Sequence, residues 1–488
     1  MKKRETGGRT LKIIRGRWPI FIYIIICNIG GFARPENPAI EGSRSIGAAE
    51  ERAFLAAAEK AARWIIASGR STTEGMTWPV APLVSPPETN STLYSGTPGV
   101  VLFLSELSRA TGNKDYLPLV RGGADHLAAR LREEKTPGLY EGLSGLGFAL
   151  NEAFRVTGDP KHKDAFLTGL AKLREGAKKQ GRGVEWNSTT DIISGSAGTG
   201  LFLLYAAQET KDSTLLELAA QAGSRLVELG KPEAGGLKWA MDPEFPRLMP
   251  NFSHGTAGVA YFLASLYKET KRKEFLEAAL AGARYLLAVA KTEGDACLIF
   301  HNEPDGKELY YLGWCHGPVG TARLFYLLWE ATGDKIWLDW VRKSAHGIMT
   351  SGIPEKETPG FWNNAGICCG LAGVGEFFLD LYGVTKEKAY LDFCDRITER
   401  LLKKATEKDG QFYWAQAEHR TRPDFIVAQT GYMQGASGIG MFLLKLDAMK
   451  RGQALAVVFP DTPFGHRLEP LRRRADGRPG NESAAALR

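Results

Sequence analysis

The chain has 488 residues, 44% apolar and 24% charged, and its six cysteines are too few for a disulfide framework of this size. The formal charge of +7 sits at the ends, with +6 in residues 1–33 and +3 in residues 467–488. The body between is near neutral, which excludes a nucleic-acid-binding surface held by charge.

In chain order, the first segment reads as a leader. Seven basic residues (Lys2, Lys3, Arg4, Arg9, Lys12, Arg15, Arg17) precede an apolar run from Trp18 to Cys27, and Gly31-Phe32-Ala33 offers small residues for cleavage. We expect a signal peptide or membrane anchor over 1–33, with membrane association through residues 18–33 if it is retained. The protein is then exported or membrane-tethered. Residues 34–50 read as a linker, 51–448 as the folded body and 449–488 as a basic, flexible tail.

Within the body a Gly-x-x-Gly step followed by an apolar run recurs seven times. Its first glycines are Gly96, Gly142, Gly195, Gly255, Gly317, Gly370 and Gly435, spaced by 46 to 65 residues. Fifteen residues after each of the first six comes a threonine: Thr111, Thr157, Thr210, Thr270, Thr332 and Thr385. The constant interval predicts a helix of about four turns. Runs such as VVLFLSEL are apolar nearly all round, so that helix should be buried. The segment after each threonine alternates apolar and charged faces, as in EFLEAALAGARYLLAVA, and should be half-exposed. Seven buried helices alternating with seven half-exposed ones predict an all-α fold, an α/α toroid built from seven helical hairpins. Lys450 holds the threonine position of the seventh unit, which is expected to fray into the tail.

Residues just before each glycine converge on one mouth: Ser95, Glu141, Ser194, His254, His316, Cys369 and Gln434. Two units supply sulfur, in GWCHG (Cys315) and GICCG (Cys368, Cys369). Three thiols at helix N-termini suit a tetrahedral Zn²⁺ with its fourth position open. The alternatives are core cysteines or a redox pair with Cys315. Cys297 and Cys394 read as small core residues.

The seven glycine steps, NFSHG, GWCHG and the Cys-x-Gly of the sixth unit resemble the lanthionine synthetase C-like family over roughly residues 50–448. The resemblance implies a toroid with zinc held by Cys315, Cys368 and, where the family has histidine, Cys369. His316 is an alternative ligand. It also implies Michael-type addition of a cysteine thiol to a dehydroamino acid in a peptide. His254 matches the family's acid/base histidine and Asp191 its third-unit aspartate, while His316 follows the first zinc ligand, where the family has Tyr or His. Bacterial cyclases carry an arginine shortly before that first ligand, where this chain has Glu308, Leu309, Tyr310, Tyr311 and Leu312. Two other functions stay open: a non-catalytic toroid that binds zinc, a small thiol or a peptide, and a carbohydrate-active α/α-barrel enzyme. The latter would need paired carboxylates, for which only Glu141 and Asp191 lie near the mouth.

Overall fold

The computed structural model describes residues 52–244 and 248–464. The expected leader, 1–33, and linker, 34–50, lie outside the described residues, as does the tail from 465 onward.

Seven inner helices follow the glycine steps: α2 (Thr97–Thr111), α4 (Leu143–Thr157), α6 (Ser196–Thr210), α8 (Thr256–Thr270), α10 (Pro318–Thr332), α12 (Leu371–Thr385) and α14 (Ala436–Lys450). Each has 15 residues and begins directly after its glycine. The threonine stops the helix chemically. Its hydroxyl donates to the carbonyl four residues back, as from Thr111 to Leu107 (2.7 Å) and from Thr332 to Leu328 (2.7 Å). The next residue turns left-handed at Gly112, Gly158, Lys211, Lys271, Gly333 and Lys386, with φ between 58° and 73°.

The outer helices are α1 (Ala53–Ser68), α3 (Leu117–Leu131), α5 (Pro160–Gly176), α7 (Ser213–Leu229), α9 (Lys273–Val289), α11 (Lys335–Met349) and α13 (Lys388–Lys403). Six inner helices pack against the outer helix that follows them in sequence. The seventh, α14, packs against α1, so the two ends of the body meet and close the ring. The expectation of a fraying seventh unit is therefore corrected: α1, the first of the described helices, covers the last apolar face. Among the described residues there are six antiparallel hairpins of three-residue strands, five of which pack on outer helices. Tryptophans anchor three of them: the indoles of Trp186, Trp239 and Trp414 donate to the carbonyls of Leu173, Leu226 and Leu401 near the ends of α5, α7 and α13. These strands were too short to leave a period-2 pattern in the sequence.

The tail boundary at 449 is also corrected. Residues beyond α14 stay packed as far as Phe464: the amides of Ala456 and Val457 donate to the Glu106 carboxylate, Phe459 stacks on Tyr432, and Phe464 lies against Tyr326. The sequence hid this because the segment is short and its apolar residues have no period.

At the mouth the seven units are joined by backbone. The amide of Tyr94 donates to the carbonyl of Tyr140, Tyr140 to Ile193, Ile192 to Ser253, Ser253 to Cys315, Cys315 to Cys368, Cys368 to Met433, and Met433 back to Tyr94, all at 2.8–3.2 Å. This closed ring runs through the second residue before each first glycine, except that the third unit accepts at Ile193 and donates from Ile192. It needs close approach. A Cβ on Gly431 would lie 2.3 Å from the Ser95 carbonyl oxygen, and one on Gly313 would lie 2.7 Å from the Cys368 carbonyl oxygen.

Lower in the barrel, glycines of one inner helix receive phenylalanines of the next: Gly147 meets Phe202, Gly200 meets Phe262, Gly375 meets Phe442 and Gly440 meets Phe103. A Cβ on Gly200 would sit 2.1 Å from Phe262 Cζ, and Phe262 is fully buried. Alanine in a helix interior normally gains up to ~1 kcal/mol over glycine. Gly200→Ala is instead expected to lose about 1–3 kcal/mol through overpacking. Urea denaturation reads the sign, and a stabilised variant would contradict this packing scheme.

Candidate metal and proton-transfer site

A cavity of about 600 Å³ opens at the mouth, and its lining includes Tyr94, Ser253, His254, Cys315, Cys368 and Cys369. The closed backbone ring explains why. Cys315 and Cys368 hold equivalent ring positions in adjacent units, and Cys369, His254 and His316 each occupy the residue that follows the ring. Of the seven converging residues, His254, His316, Cys369 and Gln434 reach the cavity. The other three are tied up locally: Asn90 donates to the Ser95 hydroxyl (2.9 Å), and Ser194 donates to the Glu141 carboxylate (2.9 Å).

The three thiols form the one cluster of metal-ligating atoms among the described residues, with all sulfurs within 4.8 Å of one another; His316 is outside it. Cys315 and Cys369 are 3.1 Å apart and Cys369 and Cys368 3.3 Å, well beyond the ~2.05 Å of a disulfide. All three are free and buried. Hydrogen bonds from Cys315 and Cys369, with one from the Tyr94 hydroxyl, push Cys368 well below the ordinary thiol range. Burial, and then the contact with Cys368, pushes Cys315 up. Hydrogen bonds to Cys315 and Cys368, reinforced by burial, push Cys369 up. The cluster on its own therefore favours a single thiolate, and full ionisation needs a cation among the sulfurs. Three sulfur donors from two adjacent loops at the edge of a cavity fit a soft, tetrahedral ion with one position left open.

Beside the sulfurs, His254 Nδ1 lies 2.6 Å from Asp191 Oδ2. The other Asp191 oxygen accepts from the amides of Ser194 and Gly195 (2.8 and 2.9 Å), capping α6, so one buried carboxylate both caps a helix and orients a histidine. Because a carboxylate only accepts, Nδ1 carries the proton and Nε2 remains for exchange. Burial works against the imidazolium, but the hydrogen bond and charge of Asp191 outweigh it and raise the His254 pKa. His316 moves the other way: burial foremost, then His301 and His254, holds it well below the ordinary value and so neutral. Its ring stacks on His301 at 4.2 Å, its Nε2 is 3.4 Å from Met249 Sδ, and its Nδ1 has no hydrogen-bond partner among the described residues.

Three features escaped sequence reasoning. Ser253 holds in the fourth unit the ring position of Cys315 and Cys368, and only alignment of the units on the ring makes it visible. Tyr94 joins the site from the first unit, its hydroxyl accepting from Gln434 Nε2 at 3.1 Å. Arg420 arrives from the loop of the hairpin pairing Ala415–Ala417 with Ile426–Ala428. It hydrogen-bonds Tyr311, within the stretch that lacks the arginine expected before Cys315.

Asp191→Asn removes both the acceptor charge and the bond to Nδ1, so the His254 pKa is expected to fall. A pH titration of the His254 ring resonances measures it, and an unchanged midpoint would contradict the pairing.

A family model described as lanthionine synthetase C-like protein matches residues 87–459. The chain is 21% identical over 384 residues to nisin biosynthesis protein NisC of Lactococcus lactis subsp. lactis, covering 73% of this chain and 85% of the relative. Its fold superposes on the structure of nisin cyclase with a TM-score of 0.55 at 20% identity, over 73% of this chain and 89% of that one. The GH76A alpha-1,6-mannanase of Salegentibacter sp. HEL1_6 aligns more loosely, with a TM-score of 0.48 at 16% identity over 81% of this chain and 99% of that one. With the family model spanning most of the body and the seven-unit toroid in place, the chain belongs to the lanthionine synthetase C-like family.

Proposed function

We propose that this protein is a zinc-dependent thiol-addition enzyme, joining a cysteine thiol of a peptide to a dehydroalanine or dehydrobutyrine to form a thioether. The observation that carries the reading is the juxtaposition of the Cys315–Cys368–Cys369 cluster with the His254–Asp191 pair on one cavity. The peptide substrate is inferred from the relation to NisC and nisin cyclase, whose names tie them to nisin.

Cys315, Cys368 and Cys369 would hold the ion. When bound, zinc lowers the pKa of a thiol that takes its open position. The chain's own residues handle the proton. Neutral His254, with Nδ1 held by Asp191, accepts the substrate thiol proton at Nε2. The sulfur–Cβ bond forms as the Cα=Cβ π bond is consumed, and the same Nε2–H then protonates Cα. The net change is an isomerisation with no co-reactant. Three thiolates around a divalent ion would leave one net negative charge, which His254 helps to offset once it has taken the thiol proton. His316, held neutral with Nδ1 unpartnered, is suited to hydrogen-bond substrate rather than to carry charge. Arg420 supports peptide binding at the rim with a permanent cation. The carbohydrate reading loses its carboxylate pair, since Asp191 is engaged by His254 and Glu141 by Ser194.

The test incubates zinc-loaded protein with a dehydrated, cysteine-containing peptide and scores loss of thiol alkylation at unchanged peptide mass. Cys315→Ala should abolish the loss, and His254→Asn should slow it by roughly 10²–10⁴-fold. If Cys315→Ala works as well as the parent, the enzyme reading fails. A stable thiol complex with no product would instead make this a binding protein.

A further inference from the structure

The cysteine cavity shares a wall with a second chamber. Trp314, fully buried, borders both the mouth cavity and a space of about 380 Å³ near the C-terminal ends of α12 and α14. That indole is fixed from an unexpected direction. Its Nε1 donates to Asp461 Oδ2 (3.0 Å), and Asp461 belongs to the segment that follows α14. Arg323 of α10 also binds Asp461, its Nη1 lying 3.2 Å from Oδ2 and 3.0 Å from the backbone carbonyl oxygen. The Asp461 carboxylate also accepts from the Tyr140 hydroxyl.

Around this carboxylate the aromatic packing reaches both halves of the site. The Trp314 ring meets Phe252 and Tyr140 edge-on (5.7 and 5.2 Å), and the Arg323 guanidinium lies 5.8 Å from the centre of the Phe252 ring. Trp314 directly precedes Cys315, and Phe252 stands two residues before His254. The Cys315 amide is itself a member of the mouth ring, so displacing Trp314 displaces Cys315 relative to Cys368.

We propose that Asp461 is a positioning residue for the sulfur cluster: the C-terminal segment, threaded through the far end of the barrel, fixes Trp314 and through it the Cys315 thiol. The chemical logic is a shared acceptor. A buried indole N–H and a buried guanidinium both need an acceptor, and one carboxylate 1% exposed serves both. Residues behind metal ligands commonly set their geometry to within a fraction of an ångström. The segment is therefore part of the site rather than a tail, although it contributes no atom to the mouth cavity.

This inference rests on the metal reading above for one of its two tests. The variant of choice is Trp314→Phe, which deletes the N–H, leaves a smaller aromatic ring in its place and keeps the Arg323–Asp461 pair; Asp461→Asn is the second. In full-length protein loaded with Co²⁺, both are expected to shift the visible cobalt bands and to weaken Co²⁺ binding roughly tenfold. Phe464→Ala, which removes a ring packed on Tyr326 and leaves the Trp314–Asp461–Arg323 contacts in place, should lower the melting temperature and leave the bands unchanged. In metal-free protein, mass spectrometry should find Cys315 alkylated faster in Trp314→Phe than in the parent. If Trp314→Phe folds with the parent's cobalt spectrum and its Cys315 alkylation rate, the proposal is overturned. A parent protein without cobalt–thiolate absorption would sink the metal reading, and the alkylation rates would still decide this one.

Discussion

The closed circle of backbone hydrogen bonds at the mouth is the constraint on which the rest of the structure depends. Each bond links the loop of one unit to the loop of the next, and the seventh returns to the first. Singly such bonds add only about 0.5–1.5 kcal/mol each, but closure makes every loop position depend on its two neighbours. It also dictates composition. Gly138, Gly313, Gly366 and Gly431 stand where a Cβ would strike the adjacent loop. Asp191 occupies the corresponding place in the third unit and reaches the fourth with its side chain, which is how His254 gains its partner. The circle thus acts as a template: ring positions carry Cys315, Cys368 and Ser253, and the following positions carry His254, His316 and Cys369.

Much of this was legible in the sequence because it repeats. The interval from glycine to threonine equals the inner-helix length, since the glycine immediately precedes the helix and the threonine hydroxyl ends it. Cys315, Cys368 and Cys369 could be placed together because they share a register with the glycines. What stayed hidden lacks register. The covering of α14 by α1 joins segments at opposite ends of the chain. The hairpins are three-residue strands whose tryptophan anchors follow no helical period. Asp461 lies 147 residues from Trp314, within a stretch that composition alone marks as tail. Arg420 sits at a loop tip, where only folding shows which wall of the cavity it joins.

Electrostatics separates the groups around the cavity into distinct roles. Asp191 raises the pKa of His254, whereas burial foremost lowers that of His316 and keeps it neutral. The three thiols compete for a single negative charge until a cation is added. A Cys₃ donor set differs by one charge from a set with two thiolates and an imidazole, so Cys369 changes the electronics of any thiol bound in the open position. In the proposed reaction His254 would become cationic only on taking the substrate thiol proton, and its charge would then lie beside the sulfur cluster as a counterweight.

The claim at the centre of this account is that Cys315, Cys368 and Cys369 together hold one zinc ion with a position left for a thiol. X-ray absorption at the zinc edge, on protein purified without chelators, tests it most directly. The account predicts one zinc per chain with three sulfur neighbours at about 2.3 Å and one lighter atom, and a fourth sulfur when a small thiol is added. A first shell with two or fewer sulfurs, or protein that retains no zinc, would contradict it.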